Sequence, residues 1–387
     1  MFEHLFSHFT FIFLLKILAD ENIYKLRPFL PDEVDLTTFD PGQPLPGLEG
    51  FDALLIRTVS ELNETTLPVL PDSLKLIGTG SSGSDHIDID YFREKGVVVI
   101  DAKGSNANAV SEYVITSLLL WSIKKEKNLQ KLKVGIVGAG ATGTAVANQL
   151  AKFDISFYSY DPPRQERDSG FQSASLKEVL DCDILTFHVP LSKNGVYSTF
   201  HWLDAEKLSG RKFELIINAS RGGVIDELAL LKSMKLETVS DVIIDVWEGE
   251  PDFNTALVEK AFIATPHIAG YSEQAKLNAS KMLVEQLAGF FDFELPDFSE
   301  LYFPKKLDIA HLNYSLYEFI LRIHPLREYD VDIRELCLRP DKEILFQKLR
   351  TDRPYRFEFP YLKLSSELVN EFKVLNILGV KTFNAKS

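Results

Sequence analysis

At 387 residues, with 45% hydrophobic and 25% charged side chains, the chain has material for two or three domains, each with its own core. The net charge of −14 argues against the basic face a nucleic-acid binder needs, and it sets the chain against acidic membrane surfaces. An anionic small-molecule substrate remains open, because local arginines can dominate a cleft. The two cysteines, Cys182 and Cys337, belong to no metal-like cluster. They point to buried, inert thiols in a reducing compartment, hence a cytoplasmic protein without a metal.

In chain order, Phe9 to Leu18 is strongly apolar apart from Lys16, with Glu3 ahead of it and no Lys or Arg before Lys16. That is not the n-region of a secretory signal, and the run is shorter than the roughly 20 residues a bilayer span takes. Residues 1–15 are read as an N-terminal extension, and no membrane association is expected. Short apolar runs then follow at Lys16–Asp20, Ala53–Thr58, Leu74–Thr79 and Val97–Asp101, separated by helix-length connections, which predicts a parallel sheet. Asn108 to Ile123 reads as one helix, with Val110, Val114, Leu118 and Trp121 at helical spacing. A second alternation has strand-like runs at Val134–Val137, Ile155–Tyr160, Ile184–Phe187, Leu215–Asn218, Val242–Asp245 and Phe262–Thr265. This predicts a six-stranded doubly wound sheet. Ser272–Phe290 is a second long helix. Beyond about Asp292 aromatic and charged residues intermix, and no glycine occurs before Gly379. There Asp308–Leu321 and Asp341–Leu349 read as helices and Tyr355–Phe359 as a strand.

Gly138-Ala139-Gly140-Ala141-Thr142-Gly143 follows the predicted strand Val134–Val137 and opens a helix. In that context the first glycine permits a tight turn, the second admits a pyrophosphate to the backbone, and the third lets helix pack on strand. The phosphates would sit at a helix N-terminus. Asp161 ends the next strand at about the 20-residue separation expected of a ribose ligand. A carboxylate there binds the ribose hydroxyls and repels a 2′-phosphate, so NAD is favoured over NADP, with Arg164 close enough in sequence to soften the preference. An ordinary glycine turn would carry neither the strand nor the acid in register.

Three predicted strands of the second sheet deliver conspicuous residues to its carboxyl edge, where open α/β sheets bind ligands. They are Ala219-Ser220-Arg221-Gly222-Gly223, Val246-Trp247-Glu248-Gly249-Glu250-Pro251 and Pro266-His267-Ile268-Ala269-Gly270-Tyr271. Arg221 suits the binding of a carboxylate, since its planar fork stays charged. His267 suits a general base, since imidazole titrates near neutrality. Glu250 suits the support of that base, because a carboxylate on one ring nitrogen orients the imidazole and stabilises its protonated form. Alone, each has a bland alternative: a surface ion pair, a solvated loop acid, a structural histidine. Together on one sheet edge they fit the oxidation of a 2-hydroxy acid.

The fingerprint with Asp161, the Ala-Ser-Arg-Gly-Gly segment, Asp245–Pro251 and Pro266–Gly270 resemble the D-isomer-specific 2-hydroxyacid dehydrogenases. The resemblance narrows, through Ile17–Asn22, Gly78–His86, Asp161–Arg164 and His267–Tyr271, to that family's erythronate-4-phosphate dehydrogenases of pyridoxal phosphate (vitamin B6) biosynthesis. It implies that Arg221, Glu250 and His267 are catalytic. It places Val189, Asp245 and Gly270 at NAD, with the fingerprint residues and Ser220, and Thr58, Ser81 and Tyr271 at substrate. Arg57 is a further candidate for a phosphate or carboxylate, with a scaffold ion pair as its alternative, and Gly80–Gly83 could form a nest of amides for an anion. Ser81 and Val189 stand where a related threonine is expected. The first keeps a hydroxyl, and the second leaves only backbone to meet nicotinamide.

The expected architecture is a doubly wound Rossmann-type NAD domain (residues 109–268) inserted in a flavodoxin-like substrate domain (16–108 and 269–291). A small α+β C-terminal dimerisation domain (292–387) would make the protein a homodimer. The expected reaction is NAD-dependent oxidation of 4-phospho-D-erythronate to 2-oxo-3-hydroxy-4-phosphobutanoate. The alternatives are another D-2-hydroxyacid dehydrogenase, acting on 3-phosphoglycerate, glyoxylate or hydroxypyruvate, and a non-enzymatic NAD-sensing binding protein.

Overall fold

The computed structural model describes residues 14–309 and 313–383. The predicted N-terminal extension lies outside the described residues apart from Leu14 and Leu15. The described residues fall into two compact units, one through Lys103 with Leu277–Leu301, the other Gly104–Lys276 with the residues from Tyr302 onward.

The first unit is built on β1 (Lys16–Asp20), β2 (Asp35–Phe39), β3 (Ala53–Ile56), β4 (Leu76–Thr79) and β5 (Val98–Asp101). They pair in parallel in the order β2-β1-β3-β4-β5, the flavodoxin order. The central strands β3 and β4 are buried throughout, as apolar strands covered on both faces must be. Strand β2 was not expected. Its sequence Asp-Leu-Thr-Thr-Phe buries only Phe39 fully, because it is an edge strand with little apolar surface to show in sequence.

The second unit holds β6 (Lys133–Val137), β7 (Ser156–Tyr160), β8 (Ile184–Phe187), β9 (Phe213–Asn218), β10 (Val239–Ile244) and β11 (Ile263–Ala264). The order is β11-β10-β9-β8-β6-β7, all parallel, so strand order reverses between β6 and β8. The fold is α/β, with a Rossmann-type doubly wound sheet, as expected. The helix Ala107–Lys124 is buried along nearly its whole length, which explains an apolar pattern that runs all round it. The helix Glu273–Phe291 carries the chain back, its residues from Leu277 belonging to the first unit.

The C-terminal segment packs within the second unit, where Phe319, Ile320 and Ile323 share a core with Tyr113 and Leu120. It also forms a small parallel sheet of β12 (Lys305–Lys306), β13 (Leu362–Ser365) and β14 (Lys381–Phe383). Two expectations are corrected here. The helix predicted over Asp308–Leu321 starts at Leu316, because Ser315 and Glu318 close a capping box that sets its first turn; residues 310–312 lie outside the described residues. Tyr355–Phe359 is not a strand, because side chains claim its amides: Gln274 Oε1 accepts from Glu358 N and Glu112 Oε1 from Phe359 N, each at 2.8 Å.

Candidate active site

The glycine fingerprint occupies the turn from β6 into the helix Ala141–Lys152. Gly138 has φ +93°, and a Cβ there would lie 2.5 Å from the His188 carbonyl oxygen. Gly143 is tighter still, with a Cβ position 1.9 Å from the Gly138 oxygen. Those two glycines serve the turn and the helix–strand approach. Gly140 differs: a Cβ on it meets no atom within 4 Å, so its backbone lies open at the helix start beside Ala141 and Thr142. A dinucleotide pyrophosphate fits such a cradle, which a side chain would fill. Asp161 Oδ2 accepts from Ala139 N at 2.8 Å and Oδ1 from Arg164 N at 2.9 Å, tying the end of β7 to the fingerprint. Arg164 turns back to donate to the Ala139 oxygen at 2.6 Å. Val189 packs at the same turn, its Cγ1 2.7 Å from the Cβ position of Gly138.

Past the end of β9, Asn218 shapes the next loop. Its Oδ1 accepts from the Ser220 hydroxyl at 2.8 Å and its Nδ2 donates to the Arg221 carbonyl at 3.1 Å. The Arg221 Nη1 donates to the Ser220 oxygen at 2.8 Å. Gly222 then passes so close to the following loop that a Cβ would lie 1.8 Å from the Trp247 oxygen. The arginine loop and the glutamate loop are therefore seated on one another through backbone.

Glu250 and His267 meet directly, Oε1 lying 2.5 Å from Nδ1. The other carboxylate oxygen accepts from Trp247 N at 3.2 Å. Burial pushes the Glu250 carboxyl up, but the facing His267, its hydrogen bond, the Trp247 amide and the Arg350 guanidinium hold it below the ordinary range. Glu250 is thus an anion at neutral pH, accepting the Nδ1–H of His267 and leaving Nε2 as the other ring nitrogen for chemistry.

His267 has φ +59°, a left-handed backbone that a non-glycine residue adopts only under constraint. The constraint is Asp245. Its carbonyl accepts from His267 N at 2.7 Å. Its carboxylate accepts from Ile268 N at 2.8 Å, Ala269 N at 2.9 Å and the Thr265 hydroxyl at 2.6 Å. Burial raises the Asp245 carboxyl above the usual range, and the facing His267, the Thr265 hydroxyl and these amides only partly offset it. Tyr113 closes the set, its hydroxyl 2.7 Å from that of Thr265. A Cβ on Gly270 would come within 2.4 Å of the Asn106 side-chain nitrogen, so that side chain would have to shift. Tyr271 ends the turn, and Arg350 Nη2 donates to its phenol oxygen at 2.8 Å.

In the first unit, Arg57, Thr58 and Ser81 come together at the carboxyl ends of β3 and β4. The Arg57 Nε pairs with the buried Asp20 carboxylate at 2.9 Å, and Thr58 N donates to the Ser81 hydroxyl at 3.2 Å. Gly80 does not join an anion nest, because its N–H is taken by the Ile56 carbonyl at 2.8 Å. Sequence reasoning missed the latch role of Asp245 and the presence of Arg350 beside Tyr271 and Glu250. The Asp245 pairing had a signal, an acid at the end of a buried strand on the ligand-binding edge of the sheet; Arg350 had none, lying 79 residues from Tyr271. No group of three or more potential metal ligands occurs among the described residues. No helix among them is long and apolar enough to cross a membrane.

Residues 120–269 match the model of the D-isomer specific 2-hydroxyacid dehydrogenase NAD-binding domain. An erythronate-4-phosphate dehydrogenase of Bacteroides fragilis (strain YCH46) is 38% identical over 349 residues, which is 89% of this chain and 97% of that protein. One from Escherichia coli O7:K1 (strain IAI39 / ExPEC) is 34% identical over 96% of this chain and 98% of its own length. Among solved structures, the D-lactate dehydrogenase of Aquifex aeolicus, complexed with NAD and lactic acid, shares the fold. Its TM-score is 0.54 at 23% identity, over 72% of this chain and 95% of that one. With a family NAD-binding domain over Arg221, Glu250 and His267 and relatives matched nearly end to end, the chain belongs to the erythronate-4-phosphate dehydrogenases, within the D-isomer specific 2-hydroxyacid dehydrogenase family.

Proposed function

We propose that this protein oxidises 4-phospho-D-erythronate at C2, giving 2-oxo-3-hydroxy-4-phosphobutanoate, with NAD as oxidant. The observation that carries the reading is the 2.5 Å Glu250–His267 contact inside the family's NAD-binding domain; the substrate follows the relatives' activity. Gly138, Gly140, Ala141, Thr142 and Gly143 would hold the pyrophosphate, with Asp161, Val189, Ser220, Asp245 and Gly270 lining the rest of the cofactor. When bound, NAD supplies the acceptor for the hydride that leaves C2.

The chain's own residues do the remainder. Arg221 binds the substrate carboxylate and polarises the C2 oxygen. His267 Nε2 takes the hydroxyl proton as the C2–H electron pair departs, so the C2–O bond becomes a carbonyl and the imidazole becomes cationic. Glu250, already an anion, stabilises that cation from Nδ1. Arg57, Thr58, Ser81 and Tyr271 bind the rest of the substrate. The Asp245 carboxylate is taken up by the amides and hydroxyl around His267, which supports a role in shaping the turn that meets the cofactor.

A panel of 4-phospho-D-erythronate, 3-phosphoglycerate, glyoxylate and hydroxypyruvate, followed by NADH fluorescence, tests the substrate. Turnover of another acid with none of 4-phospho-D-erythronate would refute it. Glu250→Gln should cut kcat about 100-fold or more with NAD affinity unchanged. A His267→Ala protein that keeps its turnover would overturn the base assignment.

We also propose a cytoplasmic homodimer paired through the C-terminal segment. The unpaired thiols of Cys182 and Cys337 support a reducing compartment, and Leu338 and Ile344, 87% and 67% exposed, are apolar surface a partner would cover. Light scattering giving a monomer mass at micromolar concentration would refute the dimer.

A further inference from the structure

Tyr271 stands four residues after His267 in the turn that Asp245 holds, and two cations meet it. Arg350, at the end of the helix Lys342–Leu349, donates from Nη2 to the phenol oxygen at 2.8 Å, with its guanidinium 5.4 Å from the ring centroid. The Lys276 ammonium is 3.9 Å from the same centroid and 5.3 Å from that of Tyr355. Arg350 Nε is buried with no hydrogen-bond partner. Burying an unpaired guanidinium donor is costly, and such a group persists where its position is otherwise useful. With its oxygen accepting from Arg350, the Tyr271 hydroxyl must send its own hydrogen to another acceptor.

Among the charged groups that bear on Glu250 or His267 are Asp245, Glu227 and Arg350. Asp245 and Glu227 are carboxyls whose burial pushes them up, Glu227 to about 7. Arg350 is a cation, and it favours the ionised form of Glu250.

We propose that Arg350 is a positioning residue for the reaction: it holds Tyr271 by the phenol oxygen and supplies a fixed positive charge to the Glu250–His267 pair. The inference rests on the reading of Glu250, His267 and Tyr271 as site residues. A positive charge opposes protonation of the imidazole and of the carboxylate alike, so its removal lets the pair keep its protons to higher pH. Arginine and lysine divide the two roles. Lysine keeps the charge but not the planar fork that seats the phenol.

The test is NMR titration of the His267 ring, its signal assigned with His267→Gln, alongside kcat and KM for 4-phospho-D-erythronate. Arg350→Gln should move the titration midpoint and the acid limb of kcat/KM to higher pH. Arg350→Lys should leave both in place while raising KM about tenfold, the loss of one charged hydrogen bond. Tyr271→Phe should raise KM similarly and leave the midpoint unmoved. An Arg350→Gln midpoint equal to wild type overturns the proposal, as does an Arg350→Lys midpoint displaced as far as that of Gln. If Arg350→Gln does not fold, the Arg350→Lys and Tyr271→Phe cycle decides: a KM effect smaller than additive supports the coupling, and full additivity refutes it. A wild-type protein inert toward 4-phospho-D-erythronate refutes the substrate reading instead, and the titration still judges Arg350.

Discussion

Gly222→Ala inserts one methyl group where the Arg221 loop meets the Glu250 loop. The new Cβ would lie 1.8 Å from the Trp247 carbonyl oxygen, 2.3 Å from its carbon and 2.9 Å from Glu248 N. All three are backbone atoms, so no side chain can swing aside. Even a crowded 3.0 Å contact requires the two segments to part by about 1.2 Å, in an interior packed as densely as a crystal. Overpacking of this kind costs about 1–3 kcal/mol, which lowers Tm by roughly 2–12 °C in a unit of this size. A displacement near 1 Å between Arg221 and the Glu250–His267 pair should also lower kcat roughly 100-fold. Stopped assays of NADH formation and thermal denaturation read the two effects. Gly289→Ala is the control, because a Cβ in that helix meets nothing within 4 Å and should leave activity intact while helping the helix by about 0.5–1 kcal/mol. A Gly222→Ala protein with wild-type Tm and kcat within threefold would show that backbone contact does not set the spacing of these loops.

The fingerprint glycines separate in the same way. Gly140→Ala should leave Tm within about 1 °C and weaken NAD binding at least tenfold, whereas Gly143→Ala, with its Cβ position 1.9 Å from the Gly138 oxygen, should lose stability first; calorimetry with and without NAD distinguishes them. Arg57→Ala removes a guanidinium held by Asp20 and should raise KM for the phosphorylated acid about 30-fold with kcat changed little; an unchanged KM would return Arg57 to a scaffold ion pair. Burial raises Glu227 from 4.5 to about 7, so the folded state holds that proton more tightly than the unfolded chain. Its contribution to stability is complete below pH 4.5 and is lost as pH rises through about 7. Glu227→Gln should abolish that decline in a Tm-against-pH series from 4.5 to 8, and parallel curves for the two proteins would contradict it.

Much of this is legible in the sequence. Short apolar runs between helix-length segments gave away both parallel sheets, since strands buried on two faces carry no polar alternation. The edge strand Asp35–Phe39 escaped because most of its side chains face solvent. Tyr355–Phe359 misled for the opposite reason: its composition suits a strand, but Glu112 and Gln274 offer its amides better partners than a ladder. No local pattern records which distant side chain will claim a backbone amide.

The candidate site residues divide along the same line. The identities and spacing of Gly138–Gly143, Asp161, Arg221, Glu250 and His267 already determined the cofactor class and the type of chemistry, because a strand delivers the residue after it to the sheet's carboxyl edge. Tertiary structure alone decided the rest. The left-handed turn at His267 depends on a buried carboxylate at the end of the neighbouring strand β10. The spacing of the arginine and glutamate loops depends on one glycine against a distant carbonyl. The arginine on the Tyr271 phenol comes from the end of a helix in the C-terminal segment. Each is a contact between residues far apart in sequence, fixed by the packing of whole elements, and therefore written in no single stretch of the chain.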